Sequence, residues 1–183
     1  TAKAVTWRIS VKKEDEKTNV MRILDQKKVK YIPHSYDPEQ AVSGIEVAAV
    51  LGQDVERVFK TLVTTGKTGN HYVFVIPAAE ELDLKKAAKT VGEKSIEMLK
   101  SKELLPLTGY IHGGCSPIGM KKFFRTVFHV PSGEAQSVGK KTAYDYETIF
   151  FSAGKVGYQV ELPLEELKKV IRFETADIIV END

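Results

Sequence analysis

Apolar positions along this chain recur in two rhythms, one of about 3.6 residues and one of two, and neither runs for long before a turn signal. Val20, Ile23 and Leu24 fall on one helical face behind Thr18 or Asn19, either of which can cap the helix. Gly44 opens a second helix with Ile45, Val47, Ala48 and Leu51 as its packing positions and Gly52 as its stop. Residues 29–36 read as extended chain interrupted by Pro33, with a turn at Asp37-Pro38. Residues 58–65 are rich in β-branched side chains and predict a strand. The glycine-containing stretch 66–70 turns that strand back into 71–76 as a hairpin. Asp83 caps a helix that runs through Thr90 and ends at Gly92.

Further on, short strands are predicted at 95–98, 126–130, 148–151 and 157–162, with a helix near 101–105. Pro163 stands at a first helical position and starts a helix expected to reach Ile171, and 176–180 can form a closing strand. Residues 1–16 form an irregular, charge-rich leader, although Val5, Trp7, Ile9 and Val11 alternate and could add an edge strand. Residues 17–183 are thus expected to form a single domain. Hairpins mixed with single helices predict an α+β fold, a curved mixed β-sheet or partial barrel flanked by helices.

A chain of 183 residues can bury one core without disulfides or metals, and 42% hydrophobic with 28% charged residues is ordinary for a globular protein. The single cysteine cannot pair internally, and no Cys/His cluster has zinc spacing. No metal or cofactor is therefore expected, and a reducing, cytoplasmic setting fits. No apolar run reaches the roughly 18 residues that would span a bilayer, so no membrane association is expected. Net charge is only +2, but Lys85, Lys86, Lys89, Lys94, Lys100 and Lys102 crowd one stretch, and Lys121, Lys122 and Arg125 another. Such clusters either attract phosphates or simply solvate a helix face.

Three segments carry candidate chemistry. Lys60 lies inside the apolar strand Val58-Phe59-Lys60-Thr61-Leu62-Val63. It is either an edge-strand charge that discourages aggregation or a cation at the rim of a pocket. The run Gly113-Gly114-Cys115-Ser116-Pro117-Ile118-Gly119 has three glycines and a proline in seven residues. It is either a tight structural turn or a loop aiming backbone N–H groups at a carbonyl oxygen that becomes tetrahedral. Ser152 ends an apolar run before Ala153-Gly154-Lys155 and can either close a turn or hydrogen-bond a substrate.

In this order and spacing, Lys60-Thr61, the 82–89 helix, Thr108-Gly109-Tyr110, the Gly-Gly-x-Ser-Pro-x-Gly-x-Lys-Lys run at 113–122 and Ser-x-Gly-Lys at 152–155 resemble the YbaK/EbsC family of aminoacyl-tRNA deacylases. These are relatives of the prolyl-tRNA synthetase editing domain, and the resemblance runs from about Thr18 to Asp177. It implies hydrolysis of mischarged Cys-tRNA(Pro) in trans, by attack of the bound cysteinyl thiol on its own ester. It implies catalytic roles for Lys60, Gly113, Gly114 and Ser116. It places Tyr36, Ser43, Thr61, Pro117, Gly119, Ser152 and Gly154 against the substrate. The implied partners are the 3′ end of aminoacyl-tRNA and, transiently, prolyl-tRNA synthetase. Two positions depart from the family pattern: Ser43 stands where an aromatic often precedes the glycine matching Gly44, and Gln159 where an aspartate often stands.

Competing readings remain open at this level. Cys115 could act as a nucleophile with His112 or His129 as base, against a packing role for Cys115 and structural or exposed positions for the histidines. Alanine rather than cysteine could be the amino acid removed, with water attacking. The domain could also bind tRNA or a synthetase without catalysis.

Overall fold

The computed structural model describes residues 17–133 and 141–181. The expected leader, with its alternating Val5, Trp7, Ile9 and Val11, lies outside the described residues.

Helix α1 (Asn19–Gln26) starts where Thr18 accepts the Met21 N–H, and it buries Val20, Met21 and Leu24. Strand β1 (Ile32–Ser35) follows, with Pro33 opposite Val160. A missing N–H is tolerated there because β1 is an edge strand. Helix α2 (Gly44–Leu51) begins with a capping box, Ser43 accepting from Glu46 N and Glu46 accepting from Ser43 N, and ends at left-handed Gly52. A short 3-10 turn, Val55–Arg57, leads into β2 (Phe59–Gly66) and its hairpin partner β3 (His71–Pro77). Helix α3 (Leu84–Val91) is capped by Asp83 and closed by Gly92. Then come β4 (Ile96–Met98), α4 (Ser101–Thr108), β5 (Arg125–His129), β6 (Ile149–Ser152), β7 (Tyr158–Leu162), α5 (Leu164–Leu167) and β8 (Glu174–Ala176).

The strands form two sheets rather than one. A mixed sheet has the order β4-β2-β3-β5-β8, and an antiparallel sheet has the order β1-β7-β6. They meet at a single parallel bridge, Val58 to Phe150, so the arrangement is barrel-like but not closed. Between them lies the main core, where Val63, Val75 and Phe128 of the larger sheet meet Phe151, Val160 and Leu162 of the smaller and Val20 and Leu24 of α1. Helix α3 covers the opposite face of the larger sheet, packing Ala87, Ala88 and Val91 against Phe74, Ile76 and Val127. Every residue from Tyr72 to Ile76 is buried because β3 is covered on both faces. Each such apolar side chain contributes on the order of 2 kcal/mol.

Two elements differ from the sequence expectation. The helix after Pro163 is regular only through Leu167, and Pro163 is its N-cap rather than its first residue. Beyond it the chain continues as turns, with Val170 N and Ile171 N both donating to Leu167 O. The closing strand lies at 174–176, beside β5, and of the expected stretch 176–180 only Ile179 makes a further bridge, to Leu82. Alternation alone placed that strand, and the parallel register with β5 draws it upstream.

Candidate active site

The seam between the sheets opens into a cavity of about 480 Å³ lined by both apolar and polar side chains. β2 supplies one wall. Its partner β4 pairs only with Thr64, Thr65 and Gly66, which leaves the first half of the β2 edge without a neighbouring strand. Leu99 N donates to Val63 O on that edge, and strand alternation turns the Thr61 N–H and C=O the same way, toward the cavity. Thr61 Oγ1 is buried and has no hydrogen-bond partner among the described residues. A buried hydroxyl left unpaired is unfavourable by about 1–3 kcal/mol, so a bound group that satisfies it is favoured.

Lys60 lines the same cavity, half-buried, opposite Ile76 in the β2–β3 ladder. It forms no hydrogen bond or ion pair among the described residues. Burial lowers its pKa, with Glu81 and Glu80 acting in the opposite direction. An ammonium held in a cavity without a bonded carboxylate is available to an anion or a developing oxyanion.

The glycine loop forms the facing wall through His112, Gly113 and Cys115. Gly113 has φ +87°, a conformation that glycine adopts without strain. Gly114 donates its N–H to Ile111 O, and a β-carbon there would lie 3.2 Å from Val156 N. The loop thereby presses against the turn after β6. The amides of Gly113 and Cys115 donate to no acceptor among the described residues. Tyr36 and Ser152 complete the enclosure, Ser152 Oγ accepting the Gly154 N–H at 3.1 Å.

Of the residues expected from sequence, the cavity brings together Lys60, Thr61, Gly113, Tyr36, Ser43 and Ser152. Gly114, Ser116, Pro117, Gly119 and Gly154 do not line it. Ser116 is fully buried and its hydroxyl accepts the Ile118 N–H. Gly119 and Gly154 make room for the Tyr110 ring: added β-carbons would lie 2.8 Å from Tyr110 Oη and 2.9 Å from its Cε1. Tyr110 Oη in turn donates to Ile118 O, fixing the loop from below. Ser43 lines the cavity while its hydroxyl caps α2.

Cavity residues that the sequence did not single out include Glu46 and Tyr158, and His112, which it offered only as a base for Cys115, lines the cavity too. Gln159 is buried in the cavity wall and exchanges two amide hydrogen bonds with Gln53, at 2.7 and 3.1 Å. The two positions are far apart in the chain, and no local pattern joins them. Cys115 also lines the cavity, but burial pushes its thiol up to about 12, so it is neutral and poorly nucleophilic near pH 7. His129 is buried away from the cavity, its Nδ1 accepting the Ile178 N–H. His129 therefore gives Cys115 no base, and no hydrogen bond joins Cys115 to His112 among the described residues. Among the described residues no group of three or more His, Cys, Asp or Glu side chains gathers as a metal site, and no helix is long and apolar enough to cross a membrane.

A family model described as "Aminoacyl-tRNA editing domain" matches residues 38–170, well over half the chain and all of the cavity's β2, glycine-loop and Ser152 walls. The chain belongs to the aminoacyl-tRNA editing domain family. A protein of Enterococcus faecalis named "Putative Cys-tRNA(Pro)/Cys-tRNA(Cys) deacylase EbsC" is 45% identical to this editing domain over 168 residues, covering 91% of this chain and 96% of that protein. A proline–tRNA ligase of Pelobacter propionicus is 34% identical over 77 residues, 42% of this chain and 13% of the ligase. The editing-domain fold is shared with a solved structure titled "Crystal structure of a putative trans-editing enzyme for prolyl tRNA synthetase", at TM-score 0.72 and 20% identity, covering 90% of this chain and 99% of that one.

Proposed function

We propose that this protein hydrolyses the ester that joins a misattached amino acid to the 3′ end of tRNA, with Cys-tRNA(Pro) as its substrate. The observation that carries the reading is the convergence of the Lys60 ammonium and the Gly113 segment on one cavity. The 45% identity to a protein named as a Cys-tRNA deacylase supports the substrate. The functional unit is residues 17–183.

The cavity residues suit a reaction in which the substrate brings its own nucleophile. The cysteinyl thiol gives up its proton and attacks the ester carbonyl, a new C–S bond forms, and the ribose oxygen leaves with the C–O electron pair and takes up a proton. Water then opens the resulting thioester. Thiol and ester sit on one small group, so holding that group bent supplies a large effective concentration. The free amides of Gly113 and Cys115 point the role of oxyanion donor to those two positions rather than to Gly114. One such donor is worth on the order of 100-fold in rate. Lys60 holds the anionic end of the tRNA or stabilises the forming charge. Thr61 Oγ1, Ser152 and Tyr36 orient the aminoacyl group.

Little in the cavity can read tRNA identity, so a transient complex with prolyl-tRNA synthetase is part of the proposal, as is a cytoplasmic site of action. The test is a panel of charged tRNAs incubated with the pure protein. Cysteine is expected to be released from Cys-tRNA(Pro) faster than alanine from Ala-tRNA(Pro). Faster alanine release would require water as the nucleophile, and tRNA binding without release of any amino acid would leave a binding module only.

A further inference from the structure

The structure separates the lysines that the sequence groups together. Those of α3 belong to the far face of the larger sheet, where the helix packs against Phe74 and Ile76, and Lys86 there is paired with Asp177 at 3.2 Å. No residue of α3 lines the cavity. Lys100 and Lys102 differ: they alternate with the cavity-lining residues Leu99, Ser101 and Leu104, and both are exposed. Lys155 is exposed and lies on the turn between the cavity-lining Ser152 and Tyr158. Its Cα is 3.5 Å from where a β-carbon on Gly114 would stand, and its Nζ lies 5.4 Å from the ring of Tyr158, itself a cavity residue. None of the three forms an ion pair among the described residues, although Glu97 and Glu103 are close in sequence to the first two. Exposed Met98 and Leu105 lie within three residues of Lys100 and Lys102 along the chain, on the strand and the helix that flank the cavity-lining Leu99 and Ser101.

We infer that Lys100, Lys102 and Lys155 form a basic collar that receives the single-stranded 3′ end of tRNA, and that exposed Met98 and Leu105 pack against its bases. The inference rests on the proposed deacylase reading for its ligand. A strand entering the cavity must bring its last phosphates past the mouth. Unpaired ammonium groups at that distance exchange condensed counterions for those phosphates, whereas a lysine already paired with a carboxylate gains less. Apolar surface beside the cations suits the faces of unstacked bases.

The experiment compares the full-length protein with two triple variants, Lys100→Glu/Lys102→Glu/Lys155→Glu at the collar and Lys85→Glu/Lys89→Glu/Lys94→Glu on and just beyond α3. Binding of uncharged tRNA is measured for both, and turnover is measured on Cys-tRNA(Pro) and on the 3′-cysteinyl ester of adenosine. The collar variant is expected to bind tRNA at least about tenfold more weakly than the α3 variant, and its loss of kcat/KM on tRNA is expected to exceed its loss on the adenosine ester by a similar factor. Neutralising the collar with glutamine should lower the slope of log affinity against log salt by about two, three contacts at about 0.7 each. Equal tRNA binding by the two triple variants, or equal loss on tRNA and on the adenosine ester, would overturn the collar. Failure of the unaltered protein to cleave either ester would instead sink the deacylase reading, and the comparison of uncharged-tRNA binding would still decide the collar.

Discussion

Lys60 shows what a single functional side chain asks of the fold. Burial lowers its pKa, so below that value the folded protein carries a partly desolvated charge that the unfolded chain does not. The unfolded chain binds more protons between the two values, and stability rises with pH from the folded pKa toward the unfolded value near 10.4. Lys60→Met is therefore expected to raise Tm slightly, on the order of 1–2 °C because solvent still reaches the half-exposed ammonium, while lowering deacylation about 100-fold or more. Thermal unfolding at pH 7 and single-turnover rates check both halves, and unchanged turnover would remove Lys60 from the mechanism. Cys115 makes the opposite case. Its neutral, buried thiol predicts that Cys115→Ala keeps turnover within about threefold, a modest repacking effect; loss of most turnover in the alanine variant would contradict this. Lys60 and Gly113 were legible because a charge in an apolar strand and a cluster of glycines break local rules, whereas Thr61 entered only through the family resemblance. Glu46 and Tyr158 were not, since only the folded chain brings them to the cavity. Ser116 broke a local rule for a structural reason, its hydroxyl serving the turn itself.

At the scale of elements, α2 forms one rim of the cavity and its position depends on a missing side chain. A β-carbon on Gly44 would lie 2.7 Å from Ala78 Cβ. Gly44→Ala should thus destabilise by about 1–3 kcal/mol through overpacking, despite the better helix propensity of alanine, and Ala78→Gly should restore most of the loss. Urea unfolding of the single and double variants reads this directly; additive losses would contradict it. The smaller sheet is tied to the start of β2 by Glu161, which accepts from Thr148 and lies beside Arg57 and His34. Burial alone would raise its carboxyl, but Thr148, His34 and Arg57 together hold it below the usual range. Its contribution is present above the unfolded value near 4.3 and is lost as pH falls through the folded one. Thr148→Val is then expected to destabilise by about 1–2 kcal/mol at pH 7, with the gap narrowing toward pH 3. A gap equal at both pH values would exclude this role. Most element boundaries followed from caps and periodicity, since Thr18, Asp83, Gly52 and Gly92 act locally. The partition into two sheets and the short α5 did not, because pairing partners and tertiary packing decide them.

For the whole molecule, the seam between sheets joins segments distant in sequence, and Tyr110 lies beneath it. Its ring occupies the space that side chains at Gly119 and Gly154 would need, and Gly154 also leaves Val20 Cγ2 only 3.0 Å from an added β-carbon. Gly154→Ala, already strained at φ +89°, should destabilise strongly in the presence of the ring and less beside Tyr110→Leu. A double-mutant cycle is expected to give a coupling of about 0.5–3 kcal/mol, and a value near zero would mean that the ring is not the obstacle. These three positions consequently behave as one heritable unit: drift at any single member is a dead end, and passage to another aromatic or aliphatic filling requires matched exchanges across segments that lie between the regular elements.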